Sequence, residues 1–436
     1  MSGVFHRSLD RELPRAVRAD GVWIEDAEGR RYLDGAGGAI VVSVGHGDQT
    51  LVDAMAEQAA ATPYVHGTAF TTEALEAYAD EVAPILPMEQ PRIYPVSGGS
   101  EAVETALKLA RAFHLARGEE SRTIVFGRRP SFHGNTLGAL DVGGKQALRR
   151  PYEPWLGRFR HVEAAYEYRC RMPEHPVRCG IAHAAALESA IEAAGPSNVA
   201  AFVAEPVAGA TLAVAVPADD YWPAVAEVCR RHGVLLIADE VMTGFGRTGR
   251  WFGVDHWDVR PDVLTAGKGS TSGYFPFGFA ACSGEMFETV RSDGFVHGFT
   301  WSHNGVGAAV AHAALQRLRG DALVDASARR GERLLKELGA ALADRPVVGD
   351  VRGLGLMIGV ELVSDRDTKA PFPRSARVTE RVVAAAREAG LLLYSSTGHV
   401  DGRDGDLLML GPPFVISEEE CDLVVERTVS AIASVE

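Results

Sequence analysis

A chain of 436 residues with a formal charge of −14 exceeds what one hydrophobic core usually holds and is long enough for two interlocked domains. Its 44 basic residues include only five lysines and form no basic stripe, which argues against nucleic acid or an anionic membrane as a partner. The five cysteines, Cys170, Cys179, Cys229, Cys282 and Cys421, contain no C-x-x-C pair; they make a poor disulfide framework or zinc site, so reduced thiols and no metal are expected.

Met1 to Asp20 carries His6, Arg7, Asp10, Arg11 and Glu12 without an apolar core and does not read as a secretory signal. No apolar run approaches the roughly 20 residues of a membrane-spanning helix, and a cytoplasmic protein is expected. Val22 to Leu33 reads as a hairpin around the turn-forming Asp26-Ala27-Glu28-Gly29, and the glycine-rich GAGGAIVVSVGHG follows from Gly35, where backbone passes close to a neighbour or a ligand. Between about Thr71 and Gly320 helix and strand patterns alternate. The clearest helix is Glu101–Arg117, and buried parallel strands are predicted at Thr123–Phe126, Val199–Ala204 and Val234–Ala238. From about Asp321 come a long Arg- and Ala-rich helix, a strand at VRGLGLMIGVEL, a further helix, and a last helix after Pro412-Pro413. The expected fold is α/β: a large, doubly wound, mainly parallel domain over residues 61–320, and a smaller α+β domain built from residues 1–60 and 321–436.

Gly267-Lys268-Gly269 follows the apolar PDVLTAG. Alone, a G-K-G is an ordinary solvated turn; a lysine forms an imine with an aldehyde only where burial or neighbouring charge keeps its amine partly neutral. Upstream, VLLIADEVMTGFGRTG delivers Asp239 at the carboxyl end of a strand, and Val241 follows two residues later. Pyridoxal-phosphate (PLP) chemistry needs such a carboxylate on the ring nitrogen, although Asp239 and Glu240 also read as helix caps. Ser97-Gly98-Gly99-Ser100 ahead of the strong helix offers free N–H groups and hydroxyls to a phosphate, or is simply a cap. Phe132-His133-Gly134 supplies an aromatic face.

SGGSEAVETALKLAR, SFHGNTLGAL, VAEPV, ADEVMTGFGRTG, TAGKG, GFTWSHN, VRGLGLMIGVEL and LGPPFVI stand in the order and approximate spacing of the class III (omega) aminotransferases, which the chain resembles from Val22 to its last helix. The resemblance implies the PLP fold type I and a homodimer. It implies Lys268 as the Schiff-base lysine and Asp239 as the ring-nitrogen partner, both catalytic. Gly99 and Ser100 become the phosphate pair, and Phe132, with His133 after it, the ring-stacking position. Glu205 matches a glutamate near the substrate that is often paired with an arginine, and Thr300 a threonine that reaches the phosphate of the partner subunit's site.

Two positions depart from the family's pattern. Met242 stands where a glutamine often touches the cofactor hydroxyl, and Met409 where ornithine- and 4-aminobutyrate-using members tend to have an arginine. The run from Gly405 to Pro413 resembles amine–pyruvate members better, and Arg403 then matches their mobile, carboxylate-binding arginine, or is a solvated loop residue. Ala39, Ile40, Tyr64, His66, Trp301 and Phe414 are candidates to line the substrate pocket, or are core. The expectation is a ping-pong transaminase taking an amine or amino acid and a 2-oxo acid. The rivals are amino-acid racemisation or dialkylglycine-type decarboxylation on the same scaffold and, less favoured, a non-catalytic PLP-binding protein.

Overall fold

The computed structural model describes residues 3–9 and 12–436; Met1, Ser2, Asp10 and Arg11, part of the segment read above as lacking a secretory signal, lie outside it. Fifteen strands are found among the described residues: β1 Ala16–Asp20, β2 Trp23–Asp26, β3 Arg31–Asp34, β4 Arg92–Val96, β5 Ile124–Arg129, β6 Arg160–Glu163, β7 Val199–Ala204, β8 Leu235–Asp239, β9 Val263–Ala266, β10 Gly278–Cys282, β11 Val348–Gly353, β12 Ile358–Leu362, β13 Leu391–Leu392, β14 Tyr394–Thr397 and β15 Asp406–Leu410. The central sheet has seven of them, in the order β4-β10-β9-β8-β7-β5-β6. Strands β6, β5, β7, β8 and β9 run parallel, and β10 is antiparallel to both β9 and β4.

The inner strands of this sheet, β7, β8, β9 and β10, are buried on both faces, which is why they read as unbroken apolar runs rather than alternating ones. Successive residues belong to different cores: Phe202, Ala204, Leu236, Ala238, Leu264 and Ala266 join one apolar cluster, and Ala201, Val203, Leu235, Ile237 and Val263 the other. Val103, Ala106, Leu107 and Ala110, on one face of the helix Gly99–Ala116, belong to the second cluster. On the first side, the helix Tyr221–His232 buries Tyr221, Trp222 and Val225. Two smaller sheets complete the fold, β1-β2-β3-β13 and β11-β12-β15-β14. Strand β13 pairs in parallel with β3, Leu391 opposite Leu33, so chain from the two ends shares one sheet.

One expectation needs correction, and two open alternatives are decided. VRGLGLMIGVEL is not one strand: β11 and β12 form an antiparallel pair, Gly353 opposite Ile358, and Gly355 at φ +55° lies in the turn between them. Gly37 does approach a neighbour closely, but that neighbour is the chain itself, since a Cβ there would sit 2.5 Å from the Gly411 carbonyl oxygen. Asp239 and Glu240 do not cap a helix, because a turn follows β8. No helix among the described residues is long and apolar enough to cross a membrane.

Candidate active site

Beyond the carboxyl ends of β7, β8 and β9 the parallel strands open onto a cavity of about 170 Å³, lined by residues that include Gly99, Ser100, Phe132, His133, Glu205, Asp239, Val241 and Lys268. Roughly 150 Å³ of enclosed space accommodates a benzene-sized ring. Eight positions singled out in the sequence thus meet around one space.

Asp239 ends β8, opposite Thr265 of β9, and is 4% exposed. Its Oδ2 accepts a 2.6 Å hydrogen bond from His133 Nδ1, and its Oδ1 accepts from the Val241 amide at 3.1 Å and from Thr265 Oγ1 at 3.2 Å. Lys268 follows β9 in a short turn with φ +38°, a left-handed conformation that a residue with a Cβ adopts only under constraint. The flanking glycines explain the constraint. A Cβ at Gly267 would lie 3.3 Å from the Gly99 amide nitrogen, and one at Gly269 would lie 3.2 Å from Phe245 Cβ, so neither position has space to spare. Burial holds the Lys268 amine down at about 8, with Asp239 and Glu205 pulling the other way.

The helix Gly99–Ala116 starts beside this lysine. Gly98 provides no side-chain cap, so amides of the first turn stay available to an anion. Close approach again needs glycine: a Cβ on Gly99 would sit 2.7 Å from Val241 Cγ1, and one on Gly134, at φ +138°, 2.5 Å from Ser100 Oγ. On the opposite wall Glu205 is 6% exposed. Its Oε1 accepts from the Gly209 amide at 3.3 Å, Oε2 is buried without a hydrogen-bond partner, and burial pushes the carboxyl up. Its arginine neighbour is Arg128 from β5, whose Nη2 donates to the Glu205 carbonyl at 2.6 Å and stands 3.9 Å from Oε2.

Four expected residues lie elsewhere. Thr300 is exposed and absent from the cavity wall of its own chain. Tyr64 and Trp301, 42% and 58% exposed, pack edge to face at 5.7 Å outside the cavity. Arg403 projects from the loop after β14, its side chain 79% exposed. Among the pocket candidates, Phe414 is core against the Arg247 guanidinium, and Ile40 packs with Met357 and Met409 in an apolar cluster. Sequence reading passed over Val207, Ala210 and Thr243, which do line the cavity. They carry no charge and answer to no single chemical step, so no local signal marks them.

Glu240, beside Asp239, is fully buried and structural. Its oxygens accept from the amides of Gly253 at 2.8 Å and Val254 at 2.9 Å and from the Thr243 hydroxyl, and burial pushes the carboxyl up to about 7.

Residues 6–432 match the family described as Aminotransferase class-III. The putrescine–pyruvate aminotransferase of Pseudomonas aeruginosa is 33% identical over 427 residues, covering 96% of this chain and 91% of that protein. The structure of a thermostable (S)-enantioselective omega-transaminase from Thermomicrobium roseum superposes with a TM-score of 0.92 at 38% identity, over 97% of this chain and 93% of that one. An omega-transaminase from Pseudomonas jessenii, solved in complex with PMP, superposes with a TM-score of 0.90 at 29% identity, over 97% and 93% of the two chains. The cavity fits such a cofactor: an uncapped helix end for the phosphate, a carboxylate for the ring nitrogen and an amine held down at about 8 for the aldehyde converge on a ring-sized space.

Proposed function

The chain belongs to the class III aminotransferases and is a pyridoxal-phosphate-dependent transaminase, and from this premise we propose that it moves an amino group from an amine or amino acid to a 2-oxo acid, pyruvate or 2-oxoglutarate, in two alternating half-reactions. The observation that carries the reading is the cavity wall: Lys268 is its one cationic side chain among the described residues, and Val207, Ala210 and Met242 make its neighbouring surface apolar. Such a wall suits a donor whose substituent is uncharged. The Pseudomonas aeruginosa relative is named for an amine donor, putrescine; its second, charged amine is what this apolar surface disfavours, so uncharged amines are the donors expected here.

When bound, the cofactor supplies an electron sink for the substrate Cα–H bond. Lys268 would hold the cofactor's aldehyde carbon and then, freed by the incoming amine, take the substrate Cα proton and return it to that same cofactor carbon, on the far side of the nitrogen. An amine held at about 8 is neutral often enough near physiological pH to act as that base. Asp239, fixed by His133 and Thr265, would keep negative charge beside the ring nitrogen. Phe132 and Val241 would pack on the ring, and Gly99 and Ser100 would take the phosphate at the helix start, where the dipole favours an anion. The Glu205 carboxylate, backed by Arg128, would meet the polar groups of the incoming substrate. Arg403 would swing in from its loop for the carboxylate of the oxo acid, and Thr300 would complete the phosphate site of a second copy in a homodimer. Residues 61–320 would form the cofactor-binding domain, with 1–60 and 321–436 as the smaller one.

The test is a half-reaction. Holoenzyme mixed with an amine alone should lose the absorbance of the aldehyde form of its cofactor, and pyruvate should restore it. Racemised substrate with an unchanged spectrum would refute the transaminase reading. Equal pyruvate KM in the wild type and Arg403→Ala would refute the role of that arginine.

A further inference from the structure

Away from the cavity, the segment between β6 and the helix Cys179–Ala194 gathers a set of soft ligands that the reaction does not use. Ligand atoms of Cys170, His175 and Cys179 all lie within 4.8 Å of one another. His183 Nε2 is 3.6 Å from Cys170 Sγ, and the other ring nitrogen, Nδ1, is buried without a hydrogen-bond partner. Glu167 completes the surroundings: its Oε1 accepts from the Cys179 thiol at 2.8 Å and its Oε2 stands 3.7 Å from His175 Nδ1. Cys179 and His183 are four residues apart at the start of one helix and share its face, while Cys170 and His175 come from the preceding loop. Two ligands from a loop and two from a helix, in the spacing C-x4-H-x3-C-x3-H, is the division of labour of small structural zinc sites.

We propose that Cys170, His175, Cys179 and His183 form a structural site for one zinc-type divalent cation. Across a tetrahedral zinc with bonds of about 2.0–2.3 Å, ligand atoms stand roughly 3.3–3.8 Å apart. The Cys170–His183 separation already has that value; Cys170, His175 and Cys179 lie within 4.8 Å of one another, and closing the site around the helix-borne Cys179 and His183 takes movement of the loop that carries the other two. Charge balances as well. On binding, two thiols release two protons to solvent, the Cys179 proton by way of the Glu167 carboxylate that already accepts it; two thiolates then neutralise the dication, and two neutral imidazoles complete the set. Sequence reading missed the site because C-x-x-C is absent, and only the folded loop brings the two cysteines together.

The site has a mechanical consequence. The same segment carries Tyr166 and Arg169, both hydrogen-bonded to the fully buried Glu361 of β12, and its Tyr168 carbonyl accepts from Lys369 Nζ at 2.6 Å. A cation at its root would pin the span that joins the seven-stranded sheet to the sheet containing β12.

The reduced holoenzyme, stripped with a chelator and titrated with zinc, should bind about one equivalent per chain, and should give red cobalt ligand-field bands, outside the absorbance of the cofactor, when loaded with Co2+. Chelation should lower the Tm of the wild type and leave that of Cys170→Ser unchanged. His175→Ala, a substitution at an exposed loop residue, should keep the cofactor absorbance and circular dichroism of the wild type yet bind zinc at least about tenfold more weakly. Zinc binding well below one equivalent, undiminished zinc binding in Cys170→Ser or His175→Ala, or a Cys170–Cys179 disulfide in peptide maps of the freshly isolated protein would overturn the proposal.

Discussion

Around Lys268 the sterics are as specific as the chemistry. The left-handed backbone at Lys268 and the tight packing of Gly267 and Gly269 leave the amine little choice of direction. Replacing Lys268 with alanine should lower kcat by about 10²–10⁴-fold while the protein still retains added cofactor, as visible spectra and rapid-quench kinetics would show. The pH dependence has a definite sign. The base form is the neutral amine, whose fraction falls as pH drops below about 8, so the rate of the amine half-reaction should rise with pH and level off above about 8; a profile flat from about pH 6 to 9 would contradict this. Asp239→Asn keeps the shape and removes the charge, and should cost about 10²–10³-fold in kcat/KM with little change in Tm. Charged and glycine-flanked positions of this kind were legible in the sequence because each was demanded by a chemical step. Val207, Ala210 and Thr243 were not, since an apolar or hydroxyl side chain in a loop carries no such demand until the cavity is seen.

Helices and strands obey local rules until packing overrides them. Strand β7 has the expected bounds, β8 lies one residue later than expected, and β5 runs three residues further to Arg129. Burial on both sheet faces produced the apolar runs that marked all three. The hairpin β11–β12 was invisible as such because its turn, Leu354 to Met357, is itself apolar, and Leu356 and Met357 are fully buried. Gly331, inside the helix Leu323–Leu342, offers a test in which local and tertiary forces point in opposite directions. Helix propensity alone favours Gly331→Ala by about 1 kcal/mol. Its Cβ, however, would lie 2.0 Å from the Gly355 carbonyl, and overpacking of that kind costs about 1–3 kcal/mol. Thermal unfolding should therefore show destabilisation, and a raised Tm would mean that the helix shifts freely. The same turn is thus needed twice, as a hairpin end and as a seat for a helix.

The parts of the molecule are joined by buried polar groups rather than by apolar contact alone. Arg247, fully enclosed, donates to the carbonyls of Leu356, Pro412 and Val42 and lies over the Phe414 ring at 4.5 Å, tying three distant stretches together. Glu361 accepts from Arg169 Nε at 2.6 Å, from Arg352 Nη1 at 3.3 Å and from His399 Nε2 at 2.8 Å, at the foot of the loop that carries Arg403. Glu361→Gln weakens the acceptor of the half-buried Arg169, while Arg352 keeps Asp350 at 2.7 Å, and urea unfolding should show a loss of about 1–3 kcal/mol. Assembly has its own test. Lys268→Ala and Thr300→Ala should each be impaired alone, yet a mixture refolded together should regain activity, because in the mixed dimer the site with an intact Lys268 meets an intact threonine from the other copy; no gain on mixing would place Thr300 outside the partner's site. By itself the sequence determined the parallel core strands, because periodicity is a local property of a chain, and the cofactor chemistry, because a whole set of motifs in order resembles one family. Only the tertiary structure decided that β10 runs antiparallel, that β3 pairs with β13, that Arg403, Tyr64 and Trp301 stand outside the cavity of their own chain, and that Cys170 meets His183. Those contacts depend on register and crossover between segments far apart in sequence, and no local pattern encodes where distant segments meet.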